Sequence, residues 1–408
     1  MVFQACKSVN HYQSKPSKNA GFGGDKSLPE LDLAVYHLND SITRVNYKLD
    51  AEPLMYRRED TTQIFYANVQ LACKLLPEIN SRQIIDSTSV YLRIRYPETK
   101  EAMLKEGSFL LKIKTLSYAY LEFTVNDRNK SQKHLYHLAI DKKNTAVAQN
   151  FEIRNTSGLC YKTNFYPGEE ISLYSVRNPG AKALAECFYK EFPPAMPPFS
   201  AQKPDELKFK PDSSYLIDLN NAKLIIPQKG FVHVRAKTDS HDGLSLFSFE
   251  KSFPGVSDIE EMIKCTRYIM SKDEYLKCKE AADQKQCIDQ FWLGLAGSNE
   301  RAKELLKKYY NRVKEANKRY TSYTQGWKSD RGMIYIVFGE PVNIYRIRND
   351  EIWIYGSEVD VNALKFIFKH SDNPYSDNDF ILQRSHLYKE PWYTAVDFWR
   401  QGRLSLEK

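Results

Sequence analysis

Long hydrophobic runs are missing from this 408-residue chain: none approaches the roughly 20 residues of a membrane-spanning helix. Seven cysteines are present, yet no two form a CxxC pair, which removes zinc ribbons and thioredoxin-like redox motifs. GxSxG, HExxH, P-loop and dinucleotide fingerprints are also absent. The acidic stretch His370-Ser371-Asp372-Asn373 with Asp377-Asn378-Asp379 lacks the alternating ligands and glycine of a calcium hand. His134 and His137 lie in a strand-like run at a spacing that puts them on opposite faces, so they do not make a metal pair. No catalytic residue, metal or cofactor is therefore expected.

What is present is size and aromatic content. The length predicts two or three domains. The 27 Tyr and 21 Phe lean toward β-rich domains. The formal charge of +8 is spread along the chain. Its densest basic stretch, Arg301–Arg319, is interleaved with Glu304 and Glu315, the pattern of a solvated helix face, and no nucleic-acid partner is expected.

From Leu31 the pattern is β. Short runs rich in β-branched and aromatic residues are Leu33–Tyr36, Ile64–Val69, Val90–Ile94, Phe109–Ile113, Tyr120–Val125 and Leu135–Ile140, with turn signals at Glu106-Gly107 and Asn126-Asp127. Such spacing without helices predicts an immunoglobulin-like β-sandwich over 31–143. A second sandwich over 144–252 is read from Phe151–Ile153, Ile171–Val176, Ala185–Tyr189, Tyr215–Leu219, Lys223–Ile226, Phe231–Arg235 and Leu244–Phe249. The segment from Phe192 to Pro198 is too rich in proline for a central strand and reads as a loop or a crossing between sheets.

After Phe253-Pro254-Gly255 the chain turns helical, opening an α+β domain over 253–408. Ser271 and Glu274 fit a capping box, Asp283 opens a second helix, and Ser298 caps a third on which Tyr309, Val313, Asn317 and Tyr320 recur at helical spacing. Gly326 is read as the helix breaker with positive φ, Trp327 as an apolar anchor, and Asp330-Arg331-Gly332 as a tight turn into a strand Met333–Phe338 ended by Gly339-Glu340-Pro341. Strands Glu351–Gly356 and Leu364–Phe368 would complete a small antiparallel sheet covered on one face by the helices. Trp392, Tyr393, Phe398 and Trp399 form an aromatic cluster read as core or domain docking rather than a glycan platform.

Gly326-Trp327-x-Ser329-Asp330-Arg331-Gly332, then Phe338-Gly339-x-Pro341 and Ile352-Trp353-x-Tyr355, resemble the GWxTD domain over about residues 255–395. Ser329 stands for the family's threonine and keeps its hydroxyl, while Val342 stands where an acid is usual. The resemblance implies an envelope protein of Bacteroidota or similar bacteria, often lipidated, with β-domains ahead of the GWxTD unit and no established catalysis. The motif reads as a structural corner in which Asp330 caps a turn and Arg331 pairs with Glu351. An enzyme centred on Asp330, Arg331 and Glu351 is the lesser alternative.

Residues 1–30 read as a lipoprotein cysteine and tether. Val2-Phe3-Gln4-Ala5-Cys6 places a small residue before Cys6, and a polar segment Lys7–Ser27 follows. Five residues make no signal peptide, so lipidation at Cys6 presumes another start or a trimmed chain. Of the other cysteines, Cys160 with Cys187, or two among Cys265, Cys278 and Cys287, are candidate disulfides. The expectation is a non-catalytic, lipid-anchored accessory or scaffold subunit at the outer membrane. Its periplasmic face is favoured because Lys7-Ser8-Val9-Asn10 lacks an acidic export run. Partners would be outer-membrane proteins or other envelope lipoproteins. A glycan- or peptide-binding envelope module is the other alternative.

Overall fold

The computed structural model describes residues 29–403, apart from 59–62, 79–80, 97–98, 100, 114–117, 176, 178–179, 181, 202–209, 220–221, 238, 348–349 and 358–362. The readings placed on Cys6 and on Lys7–Ser27 lie outside the described residues. Backbone proximity divides the chain into two units. One is Met1–Cys187, Asp212–Pro227 and Phe231–Phe247; the other is Phe188–Pro211, Gln228–Gly230 and Ser248–Lys408.

The first unit is all β. A three-stranded sheet of Leu31–His37, Ile42–Asp50 and Leu104–Lys112 shares one apolar core with a five-stranded sheet. The latter runs Arg57–Arg58, Phe65–Leu76, Tyr118–Asp127, Gln132–Asp141, with Asp86–Arg95 also paired to Phe65–Leu76. Alternation decides what faces inward: Ala67, Val69, Leu71, Cys73 and Leu75 are buried while the residues between them are not fully so. Tyr47, Phe109 and Phe123 join the two sheets, with ring centroids 5.4 to 6.0 Å apart. Gly107 is not in a turn, as its pairing with Glu106 suggested. It lies inside the strand Leu104–Lys112 opposite Tyr47, where a Cβ would stand 2.4 Å from the phenol oxygen. The strand Ile42–Asp50, unrecognised in the sequence, carries Val45, Tyr47 and Leu49 into the core.

A second pair of sheets encloses Ile171, Leu173, Ala185, Val232, Val234 and Leu246. One sheet orders Gly158–Leu159, Glu152–Asn155, Glu170–Tyr174 and Ala222–Ile225; the other Asn164–Phe165, Leu244–Ser248, Gly230–Arg235, Lys182–Phe188 and Ser213–Asp218. Cys160 follows a strand of the first of these sheets and Cys187 lies in the second, and both are free thiols, which corrects the pairing suggested for them.

The second unit is α+β. Its helices are α1 (Ile259–Thr266), α2 (Lys272–Glu280), α3 (Gln284–Ala296), α4 (Asn299–Tyr320), α5 (Asp330–Phe338) and α6 (Lys389–Arg400). Local chemistry sets their ends. The Ser271–Glu274 capping box opens α2, Asp283 accepts from the Gln286 amide at α3, and Ser298 accepts from the Arg301 amide at α4. Cys278 and Cys287 are disulfide-bonded, joining α2 to α3. An antiparallel sheet orders Asn343–Ile347, Asp350–Tyr355, Leu364–His370 and Phe380–Leu382. Trp353, Phe366 and Phe368 project from it into a core shared with Trp292, Tyr309, Trp327, Trp392 and Trp399. The chain is thus mainly β, with a C-terminal helical segment and a small antiparallel sheet.

Candidate functional site: a buried ionic core behind the Gly-Trp motif

The motif begins where α4 ends. Gly326–Lys328 form one 3-10 turn and Ser329 then caps α5, its hydroxyl accepting from the Gly332 amide at 3.0 Å and donating to the Gly326 carbonyl at 2.7 Å. This corrects the predicted strand at Met333–Phe338: Asp330-Arg331-Gly332 is the first turn of a helix. The misreading has a physical cause, because every residue of α5 is buried. Apolar on all sides and rich in β-branched residues, the segment loses the polar face that marks helical periodicity. The strand that pairs with Asp350–Tyr355 is instead Asn343–Ile347.

The glycines serve contact rather than turning. Gly326 has no positive φ; a Cβ there would sit 2.0 Å from the Ala316 carbonyl oxygen. At Gly332 a Cβ would sit 1.8 Å from the Gly326 carbonyl oxygen. The two glycines let α4, the 3-10 turn and α5 touch through their backbones. Trp327 is 1 % exposed; its amide donates to Asn317 Oδ1 at 3.0 Å, its indole to Gln325 Oε1 at 3.0 Å, and its carbonyl accepts from Tyr268 Oη at 2.9 Å.

The charged residues of the motif point inward. Asp330 and Arg331 are 9 % and 4 % exposed, and Glu351 is 2 % exposed. Arg331 donates to Glu351 Oε2 at 3.2 Å, and to the carbonyl (3.0 Å) and side-chain oxygen of Asn378. Its guanidinium lies 4.0 Å from the Phe380 ring centroid and 5.1 Å from that of Tyr320. The same Glu351 oxygen accepts from the Trp353 indole at 3.1 Å. Asn378 in turn donates to the Arg319 and Thr321 carbonyls, answering the open C-terminal end of α4. Asp330 does not cap a turn: it takes a two-pronged pair from Arg384, at 2.5 and 3.1 Å, and the Leu382 amide at 2.8 Å. Burial raises the Asp330 carboxyl above its ordinary range, against the pull of Arg384. Nearby Asp379 is pushed up by burial to about 6.

A strap from the proline-rich segment closes this region. The Ala195 amide donates to the Lys328 carbonyl at 2.8 Å, Arg384 donates to the Met196 carbonyl at 3.2 Å, and the Ser385 amide donates to the Pro198 carbonyl at 3.1 Å. Phe192 meets Tyr323 edge-on at 4.8 Å, and Lys328 Nζ lies 3.4 Å from Glu191.

The other motif residues secure the far end of α5. Gly339 has φ +88 and terminates the helix; its carbonyl accepts from Tyr355 Oη at 2.8 Å, and Pro341 is buried behind it. Arg312 of α4 donates to the Ile336 and Val337 carbonyls, so the basic stretch of α4 is not simply a solvated face. The structure therefore joins Asp330, Arg331, Glu351 and Trp353 in one core, as their proximity in the motif suggested for Arg331 and Glu351. Asn378, Arg384 and the strap at Ala195–Pro198 were not found from sequence. Only the amide and guanidinium types signal them, far from the motif in the chain. Trp392 and Trp399 are core residues, while Tyr393 is exposed. Among the described residues, no group of three His, Cys, Asp or Glu side chains is placed to hold a metal ion. Chemically, both carboxylates of the core are engaged by arginines, and the arrangement locks a helix start to a sheet.

An α+β unit built on such a Gly-Trp helix start defines a class. Residues 230–401 match the family model of the GWxTD domain, so this chain carries a GWxTD domain over that span, which begins upstream of the part legible from the motifs alone. A comparison with curated proteins gives no match.

Proposed function

We propose that this protein is a non-catalytic accessory or scaffold subunit of an envelope protein complex, lipid-anchored through Cys6 at the outer membrane and facing the periplasm. Machinery for inserting, secreting or taking up cargo at that membrane is the natural host. The observation that carries the reading is the engagement of the motif's ionic groups. Asp330, Arg331 and Glu351 are buried and answered by Arg384, Asn378 and Trp353. A reacting group must reach a substrate; these groups face one another, which favours a structural role and leaves function to the outer surfaces. The disulfide between Cys278 and Cys287 fits an oxidising envelope.

The test is a mild-detergent pull-down of the tagged protein followed by mass spectrometry. The expected result is a membrane-protein partner at near-stoichiometric yield, and recovery of none would defeat the scaffold reading. Cys6→Ser is expected to release the protein from membranes; unchanged retention would defeat the lipid anchor.

A further inference from the structure

The first sandwich carries an arginine face that the GWxTD motif does not involve. Residues opposite one another on antiparallel strands project to the same side, and alternate residues along a strand share that side. Arg57, Tyr66 and Arg95 form one rung of the five-stranded sheet, and Asn68 with Arg93 and Gln70 with Tyr91 continue the same side. Arg93 lays its guanidinium 4.2 Å from the Tyr66 ring centroid, and Arg128 lies 5.4 Å from that of Tyr91. All four arginines are exposed. Among the described residues no ion pair occupies Arg57, Arg95 or Arg128. Farther along this side Glu122 is held by Lys74 and His137, each at 3.6 Å.

Apolar side chains stand exposed at the end of this sheet, where strand alternation turns Phe65 to the side opposite Tyr66. Met55, Phe65 and Tyr96 are 40 %, 45 % and 56 % exposed. Phe65 is the partner of Arg58, and its carbonyl accepts from the Tyr96 amide at 2.8 Å. The chain also arrives at this end. The Glu30 carbonyl accepts from the Asp50 amide at 2.8 Å, and Leu31 pairs with Leu49, a few residues before Met55 and Arg57.

We propose that this arginine face docks the first sandwich onto an anionic bilayer surface. The guanidinium groups would meet lipid phosphates. Sugar stacking is the weaker fit, because Tyr66 and Tyr91 already carry arginines over their rings. The proposal deepens the membrane reading and rests on it: the lipid anchor proposed at Cys6 lies upstream of this sandwich in the chain.

The test uses the full chain carrying Cys6→Ser, which separates this surface from the anchor. Co-sedimentation is measured with vesicles of equal parts phosphatidylcholine and phosphatidylglycerol, with phosphatidylcholine alone, and with a soluble acidic polysaccharide. Binding to the anionic vesicles is expected, and it should weaken with salt. The triple variant Arg57→Gln, Arg95→Gln, Arg128→Gln is expected to lose about fivefold per arginine, on the order of a hundredfold in all. Lys303→Gln with Lys307→Gln removes charge from α4 and is expected to leave binding unchanged. An unaltered melting temperature shows that the triple variant is folded. Equal binding to neutral vesicles, unchanged binding of the triple variant, or binding to the polysaccharide alone would overturn the proposal. None of these outcomes bears on whether the native Cys6 is acylated.

Discussion

Arginine serves opposite purposes in two regions of this molecule. In the GWxTD domain Arg331 and Arg384 are withdrawn from solvent and answered by Glu351, Asn378 and Asp330. On the first sandwich Arg57, Arg93, Arg95 and Arg128 stand exposed, two of them over tyrosine rings. Desolvated charge is costly unless its partners are in place, so the first arrangement fixes one geometry of helix start and sheet. Solvated charge contributes little to folding. The motif that identifies the domain is thus its interior, and the exposed arginines lie where no motif marks them.

The most severe way to break this comparison is to truncate one arginine of each kind. Arg331→Met removes a buried guanidinium from Glu351 and Asn378 and is expected to cost about 3–5 kcal/mol in chemical denaturation. Arg95→Met is expected to stay within about 0.5 kcal/mol. Similar costs for the two would erase the distinction.

The buried carboxylates add a pH signature. Asp379 titrates near 6 in the fold against 3.8 for an ordinary aspartate, so the folded state holds the proton more tightly. Between those values the folded chain binds more protons than the unfolded one, and stability falls as pH rises through the window. The loss is complete above the folded value and amounts to at most about 3 kcal/mol. Asp379→Asn is expected to flatten that segment of the pH–stability curve; an unchanged slope would contradict the burial argument.

A covalent staple further separates the regions. Cys278→Ser with Cys287→Ser is expected to lower the stability of the helical unit by about 2–3 kcal/mol. Reducing agent should do the same to the native chain. Cys73, Cys160 and Cys187 are free thiols in the β unit, so it should respond far less. The mildest probe is the cap of α5. Ser329→Ala is expected to cost about 1 kcal/mol, whereas Ser329→Thr retains the hydroxyl and should be near neutral; equal losses would mean that the hydroxyl is not what matters.

Legibility followed the range of the interaction. Caps at Ser271, Asp283 and Ser298 act within three residues and could be read directly. Strands with one solvated face announced themselves by alternation. Helix α5 did not, because burial on every side removed the polar stripe that would have named it. Gly107 looked like a turn and is a strand position emptied for Tyr47. The pairing of Arg331 with Glu351 was within reach because both stand near the motif. Arg384 and Asn378 reach it from about fifty residues away, and the strap at Ala195 from the far side of several strands; no local pattern encodes those distances.

That strap has a consequence for how the chain is made. During synthesis Ala195, Met196 and Pro198 leave the ribosome well before Lys328, Arg384 and Ser385, the groups they join. The early segment must therefore wait, unfastened, until the C-terminal third has been translated. A nascent chain stalled after the second sandwich would lack Tyr323 and Tyr393, the rings that Phe192 and Phe199 meet, and that interval is when a chaperone would have something to hold.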